Sequence, residues 1–108
     1  MAAWKKKFER WKVASSPVDV AEVDKPLPRV FGSRLREAKN TSHRWHIDVA
    51  ELVGQPGFSL PVLPIPVRGG QKVIPIYLQN AYKAAELLGL YPPEEENEEE
   101  NEPNEQDD

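Results

Sequence analysis

Two histidines, His43 and His46, flank Arg44 and Trp45, and Asp48 follows two residues after the second. Imidazoles and a carboxylate are the donors that a divalent metal uses. On an extended strand His46 and Asp48 share a face and His43 does not. The chain has no cysteine and no second cluster of ligands, so the histidines read as structural or surface residues and no metal is implied. Catalytic chemistry has no better footing. There is no nucleophile elbow, no phosphate-cradling loop and no pair of carboxylates in apolar surroundings. Gly69-Gly70-Gln71-Lys72 fits neither a Walker loop nor a dinucleotide fingerprint and reads as a turn. The pattern is that of a non-enzyme without a cofactor.

The basic residues carry more information. Lys5, Lys6, Lys7, Arg10, Lys12, Lys25, Arg29, Arg34, Arg36, Lys39 and Arg44 all fall within the first 44 residues, with Trp4, Phe8, Trp11, Phe31 and Trp45 interleaved. Cations that neutralise phosphates release counterions, and aromatic rings stack on unpaired bases. Lys5, Lys6, Lys7, Arg10, Lys12, Arg34, Arg36 and Arg44 are the candidate phosphate contacts. Trp4 and Trp11 either anchor the N-terminal helix or stack on bases. No base-reading helix of known type is present, so the expected contact is not sequence-specific.

The net charge of −4 conceals a split. Residues 94–108 hold ten acids and no base, whereas residues 1–93 hold all 14 Lys and Arg against eight acids, a net of +6. Such asymmetry points to polyanion binding or to a charged appendage with its own role. The tail aids solubility, folds back on the basic body as an electrostatic brake, or engages a basic partner; the sequence does not choose among these.

Of the 108 residues, about 90 can contribute to a fold, and 11 are proline. That is at most one domain, with a small share of its surface buried. The absence of cysteine excludes disulfides and fits a reducing, cytoplasmic compartment. No apolar run approaches the ~20 residues of a membrane span, and the charged, aromatic N-terminus lacks the apolar core of a secretory signal.

Several elements must position these residues. Met1–Val13 reads as an amphipathic helix with Trp4, Phe8 and Trp11 at i, i+4 and i+7. Helices of that length are marginal alone, so the stripe docks on the body, a partner or a surface. Docking in a partner's groove defines the alternative function, a protein–protein adaptor binding through Trp4, Phe8 and Trp11. A third reading lays this helix on an anionic membrane surface.

Val18–Asp24 reads as a short strand or extended arm, Lys25–Pro28 as extended, and Gly32–Asn40 as a helix that Ser33 caps. From Arg44, period-two alternation predicts a half-buried strand with Trp45, Ile47 and Val49 on one face. Residues 49–53 either extend it or form a helical turn, and Gly54–Gly57 is a turn. Phe58–Val67 carries three prolines, which exclude a central strand and leave an edge strand or a polyproline segment. The spacing of those prolines also suits a ligand of aromatic grooves, but the apolar residues between them favour burial in this protein's own core. A turn at Gly69-Gly70 follows, then a short strand or an extended lead-in to the next helix from Gln71 to Ile74.

Pro75 starts the best-defined helix, expected to run to Leu88 with Gly89 as its left-handed stop. The fold class is α+β: a basic aromatic helix over 1–13, a small domain over 14–93, and a disordered acidic tail over 94–108.

The segment Ala81–Leu90, AYKAAELLGL, resembles the closing helix of phage terminase small subunits, through Ala85, Glu86, Leu87, Leu88, Gly89 and Leu90. In those proteins a charged tail sometimes follows. The resemblance implies a non-enzymatic, oligomeric DNA-packaging accessory that recruits viral DNA to a large motor subunit. Such proteins usually carry an N-terminal helix-turn-helix; none is evident in this sequence, so no DNA-binding residue is carried over.

Overall fold

A computed structural model describes residues 3–38, 43–69 and 71–91 of the protein. The N-terminal segment forms helix α1 (Ala3–Arg10), continued by a 3-10 turn over Trp11–Val13. Its aromatic stripe is buried: Trp4, Phe8 and Trp11 are 5%, 0% and 1% exposed. The groove they fill belongs to the protein's own body. Phe8 lies 5.0 Å from Trp11, 5.0 Å from Tyr82 in a stacked arrangement, and 4.9 Å edge-on from Tyr91. Each such ring buries about 150–250 Å², or about 4–6 kcal/mol gross at about 25 cal/mol per Å². A helix too short to persist alone is thus held by its contacts.

Downstream, β1 (Val18–Asp19) runs directly into the single-turn helix α2 (Val20–Val23), and α3 spans Pro26–Phe31. The short strand or extended arm expected over 18–24 is reduced to the two residues of β1, and residues 20–23 are helical instead. The expected extended run at Lys25–Pro28 is corrected to the start of a helix. Pro26 occupies the first helical position and Pro28 the third, where N–H groups have no intrahelical acceptor, so neither proline removes a bond. Burial of Leu27, Val30 and Phe31 outweighs the bias that each proline imposes on its predecessor.

The helix expected over Gly32–Asn40 is also corrected. Gly32 adopts φ 54° and ends α3; a 3-10 turn covers Gly32–Arg34, and β2 occupies Leu35–Glu37. Ser33 is not a cap, and residues 39–42 lie outside the described set. Pairing with the next strand supplies backbone partners that a short, weakly apolar helix would have had to make alone.

That next strand, β3 (His43–Asp48), is the centre of a three-stranded antiparallel sheet ordered β2-β3-β4, with β4 at Val62–Pro66. Trp45, Ile47 and Val49 are buried as expected, and so are Ile65 and Leu63, which pair with Trp45 and Ile47, and Val67 beyond the strand. A register shift between His43 and Trp45 makes a bulge at Arg44. Residues 50–52 form a helical turn, the second of the two readings for that stretch.

Strand β4 is an edge strand. The Val49 N–H donates to the Pro61 carbonyl at 2.8 Å. Alternation along the strand then aims the backbone groups of Leu63 and Ile65 at β3, and those of Val62, Pro64 and Pro66 at the open edge. Two of the three residues facing outward thus have no N–H to offer a foreign strand.

A second small sheet pairs β1 with β5 (Lys72–Val73), and α4 (Pro75–Leu87) follows. Its end is a Schellman motif: the Leu90 N–H donates to Ala85 C=O at 2.8 Å and the Gly89 N–H to Glu86 C=O at 3.1 Å, with Gly89 at φ 76°. Helix α4 packs on the Trp11–Val13 turn and on β4, burying Leu78, Ala81, Tyr82, Ala84 and Ala85.

Truncating the central ring tests this construction. Phe8→Ala should cost about 3–5 kcal/mol, read as a large drop in the urea midpoint; an unchanged midpoint would show that α1 does not dock. Restoring edge donors with Pro64→Thr and Pro66→Thr should leave the monomer folded but introduce concentration-dependent self-association in sedimentation velocity.

Candidate nucleic-acid interface

Burial on one side of α1 dictates what the other side shows. With Trp4, Phe8 and Trp11 inward, Lys6 and Arg10, four residues apart, face solvent, Lys7 is half-buried, and Lys12 is exposed on the 3-10 turn. The Lys12 ammonium lies 5.9 Å from the Tyr82 ring centroid, at the limit of a cation–π contact. Lys5 differs. At 2% exposure it is enclosed by the fold, so its expected role as a phosphate contact is corrected. It sits on the flank of the buried stripe, which neighbouring lysines in a KKK run cannot all avoid on a helix of 3.6 residues per turn.

The single acid among residues 5–12 is Glu9. Its carboxylate accepts a 2.5 Å hydrogen bond from the Tyr91 hydroxyl. The partners are 82 residues apart in sequence, so no local pattern announces the bond. Tyr82, buried beside them, has its ionisation pushed up by burial and by the carboxylates of Glu86 and Glu9.

The predicted arginines lie on and beside the sheet. Arg36 is exposed on the outer face, opposite His46. Together with Arg34, Asp48, Pro61 and Val62 these two residues line a concavity of about 390 Å³. Arg34 is already committed: both terminal nitrogens donate to the Glu51 carboxylate at 2.8 Å, and one also donates to the Asp48 carbonyl at 3.0 Å. Arg44, re-aimed by the bulge, donates from Nε to Glu37 at 2.9 Å, stands 4.0 Å from Asp24, and lies over the Trp45 ring at 5.1 Å. Lys72 is paired with Asp19 at 2.7 Å. Acids of the body thus pair with Arg34, Arg44 and Lys72, whereas Lys6, Lys7, Arg10 and Lys12 fall within seven residues on α1 and its 3-10 turn.

The expectation that Trp4 and Trp11 either anchor or stack is met by the first alternative. All three tryptophans are 5% exposed or less, so none offers a ring face to a base. For the same reason Trp4, Phe8 and Trp11 are not available to a partner's groove. An adaptor using them would first have to undock α1, at a gross cost of about 4–6 kcal/mol per ring.

A second concavity, of about 420 Å³, lies between α1 and residues 14–22 and has mixed charge, with Lys7 and Arg10 facing Asp19 and Glu22. Among the described residues no group of three or more His, Asp or Glu is placed to hold a metal ion, and no helix is long and apolar enough to cross a membrane. No family model matches the sequence, and no curated protein or solved structure matches it either.

The Arg34–Glu51 pair has a pH signature. The hydrogen bond from Arg34, aided by a backbone N–H, holds the Glu51 carboxyl at about 2, down from 4.5. A carboxyl depressed in the folded state adds stability that is complete above about pH 4.5 and declines as pH falls toward about 2. Glu51→Gln should therefore flatten the acid limb of the stability profile between those values. The difference should shrink at high salt, because the pair is exposed. Parallel limbs for the two proteins in urea melts would contradict the pairing.

Proposed function

We propose that the protein is a non-catalytic accessory factor that contacts nucleic acid through phosphates, with the outer face of α1 as the main contact and Arg36 as a secondary one. One observation carries the reading. Docking of the aromatic stripe leaves Lys6, Arg10 and Lys12 exposed and Lys7 half-buried, while the exposed Glu9, the acid of that segment, accepts a hydrogen bond from Tyr91 and keeps its charge. Lys6, Lys7 and Arg10 on one helix, with Lys12 on the turn after it, suit a regularly charged backbone, where each neutralised phosphate releases counterions. The burial of all tryptophans favours contact without base stacking, hence no preference for single strands. It also moves weight away from the adaptor reading.

The absence of cysteine favours a cytoplasmic setting. The likeness of the end of α4 to terminase small subunits is the reason for naming viral DNA packaging as the process, with an oligomer of this chain as the working form. A protein partner, such as a motor subunit, belongs to the same reading.

Binding to a short duplex across a salt series tests the proposal. The slope of log K against log salt should lose about 0.9 for each phosphate contact removed. Lys6→Glu with Arg10→Glu should thus flatten it by about 2, while substitution of Arg34 or Arg44 should leave it nearly unchanged. No binding at low salt, or an unchanged slope in the α1 variant, would defeat the assignment.

A further inference from the structure

The described chain ends at Tyr91, and that end is fixed. Tyr91 is 5% exposed, its ring stands 4.9 Å from Phe8 and 5.8 Å from Tyr82, and its hydroxyl donates to Glu9 on α1. The last described residue is therefore held against the helix that carries these cations. Glu94 follows three residues later, a span of at most about 11 Å. We propose that residues 94–108 of the same chain occupy the basic outer face of α1, so that a polyanion reaches this face only by displacing the protein's own tail.

Charge, length and composition all fit this occupant. The tail brings ten acids and no base, and the face offers Lys6, Lys7 and Arg10, with Lys12 on the 3-10 turn beyond it. Fifteen residues can extend to about 50 Å, well beyond the roughly 16 Å of an eleven-residue helical segment. Pro103 is the one apolar side chain of the tail, so charge is its main means of docking, and the outer face of α1 is charged rather than apolar. Competing cations are fewer than the sequence suggests, because Arg34, Arg44 and Lys72 already hold carboxylates of the body. Tethering next to the site also gives an effective concentration on the order of millimolar, an advantage that a separate acidic chain lacks.

The inference does not depend on nucleic acid, and its test contains none. The chain is free of cysteine, so Asn104→Cys accepts a single nitroxide label in the full-length, isotope-labelled protein. At about 10 mM salt, where screening is weak, the amides of Lys6 to Lys12 should broaden strongly. In about 1 M salt, with a Debye length near 3 Å, the signals should recover.

Lys6→Glu, Lys7→Glu and Arg10→Glu together should abolish the broadening while the β3 and α4 resonances stay in place. If that variant unfolds, converting the tail glutamates to glutamine should remove the broadening without touching the fold. Absence of broadening at low salt overturns the proposal, as does broadening that persists in both variants. Broadening seen only when the nitroxide sits on a second, isotope-unlabelled copy assigns the tail to a neighbouring molecule and overturns the intramolecular arrangement.

Discussion

Phe8 is the residue on which the rest of the structure hangs. It contacts Trp11 within its own segment, Tyr82 on α4 and Tyr91 at the end of the described chain. A small domain buries too little surface to spare such a contact. Once Phe8 is seated, α1 has only one permitted orientation, and the cations that share its turns with the aromatic residues have to point outward. The fit is imperfect at the margins. Lys5 is carried into the fold, and the indole N–H of Trp4 is buried without a hydrogen-bond partner, at a cost of about 1–3 kcal/mol. Aromatic burial is large enough to carry both.

The same packing sorts the charges. Exposed ion pairs such as Arg34–Glu51 and Lys72–Asp19 add little stability, but they matter for the electrostatic field. They cancel positive charge around the sheet and leave α1 as the segment where cations accumulate. Tyr91, the last described residue, is held against α1 by the Phe8 ring and the Glu9 carboxylate. Charge distribution in this protein is thus a consequence of where three aromatic rings found room.

Strand β4 shows a second constraint at work. A sheet of three strands has two open edges, and the longer one is protected by prolines whose missing N–H groups face outward. The residues between them, Leu63 and Ile65, keep their backbone groups on β3 and their side chains in the core. The alternation of proline with apolar residues serves both demands at once.

Sequence by itself determined the elements whose signal is periodic or conformationally strict. These are α4 with its proline start and glycine stop, the alternation of β3, the edge position of β4, the amphipathic nature of α1, and the opposed charges of body and tail. Each rests on side-chain spacing or on a backbone restriction that holds in any context. Tertiary structure decided what depended on distant partners. Pro26 and Pro28 look extended until their positions in the first turn of α3 are known, and residues 35–37 become a strand only because β3 lies alongside. No local pattern joins Glu9 to Tyr91, and helical spacing places Lys5 only at the flank of the stripe without showing that the body closes over it. The candidate site was legible as a composition of basic residues, but which cations remain available was settled by packing, because burial and pairing are properties of neighbours far along the chain.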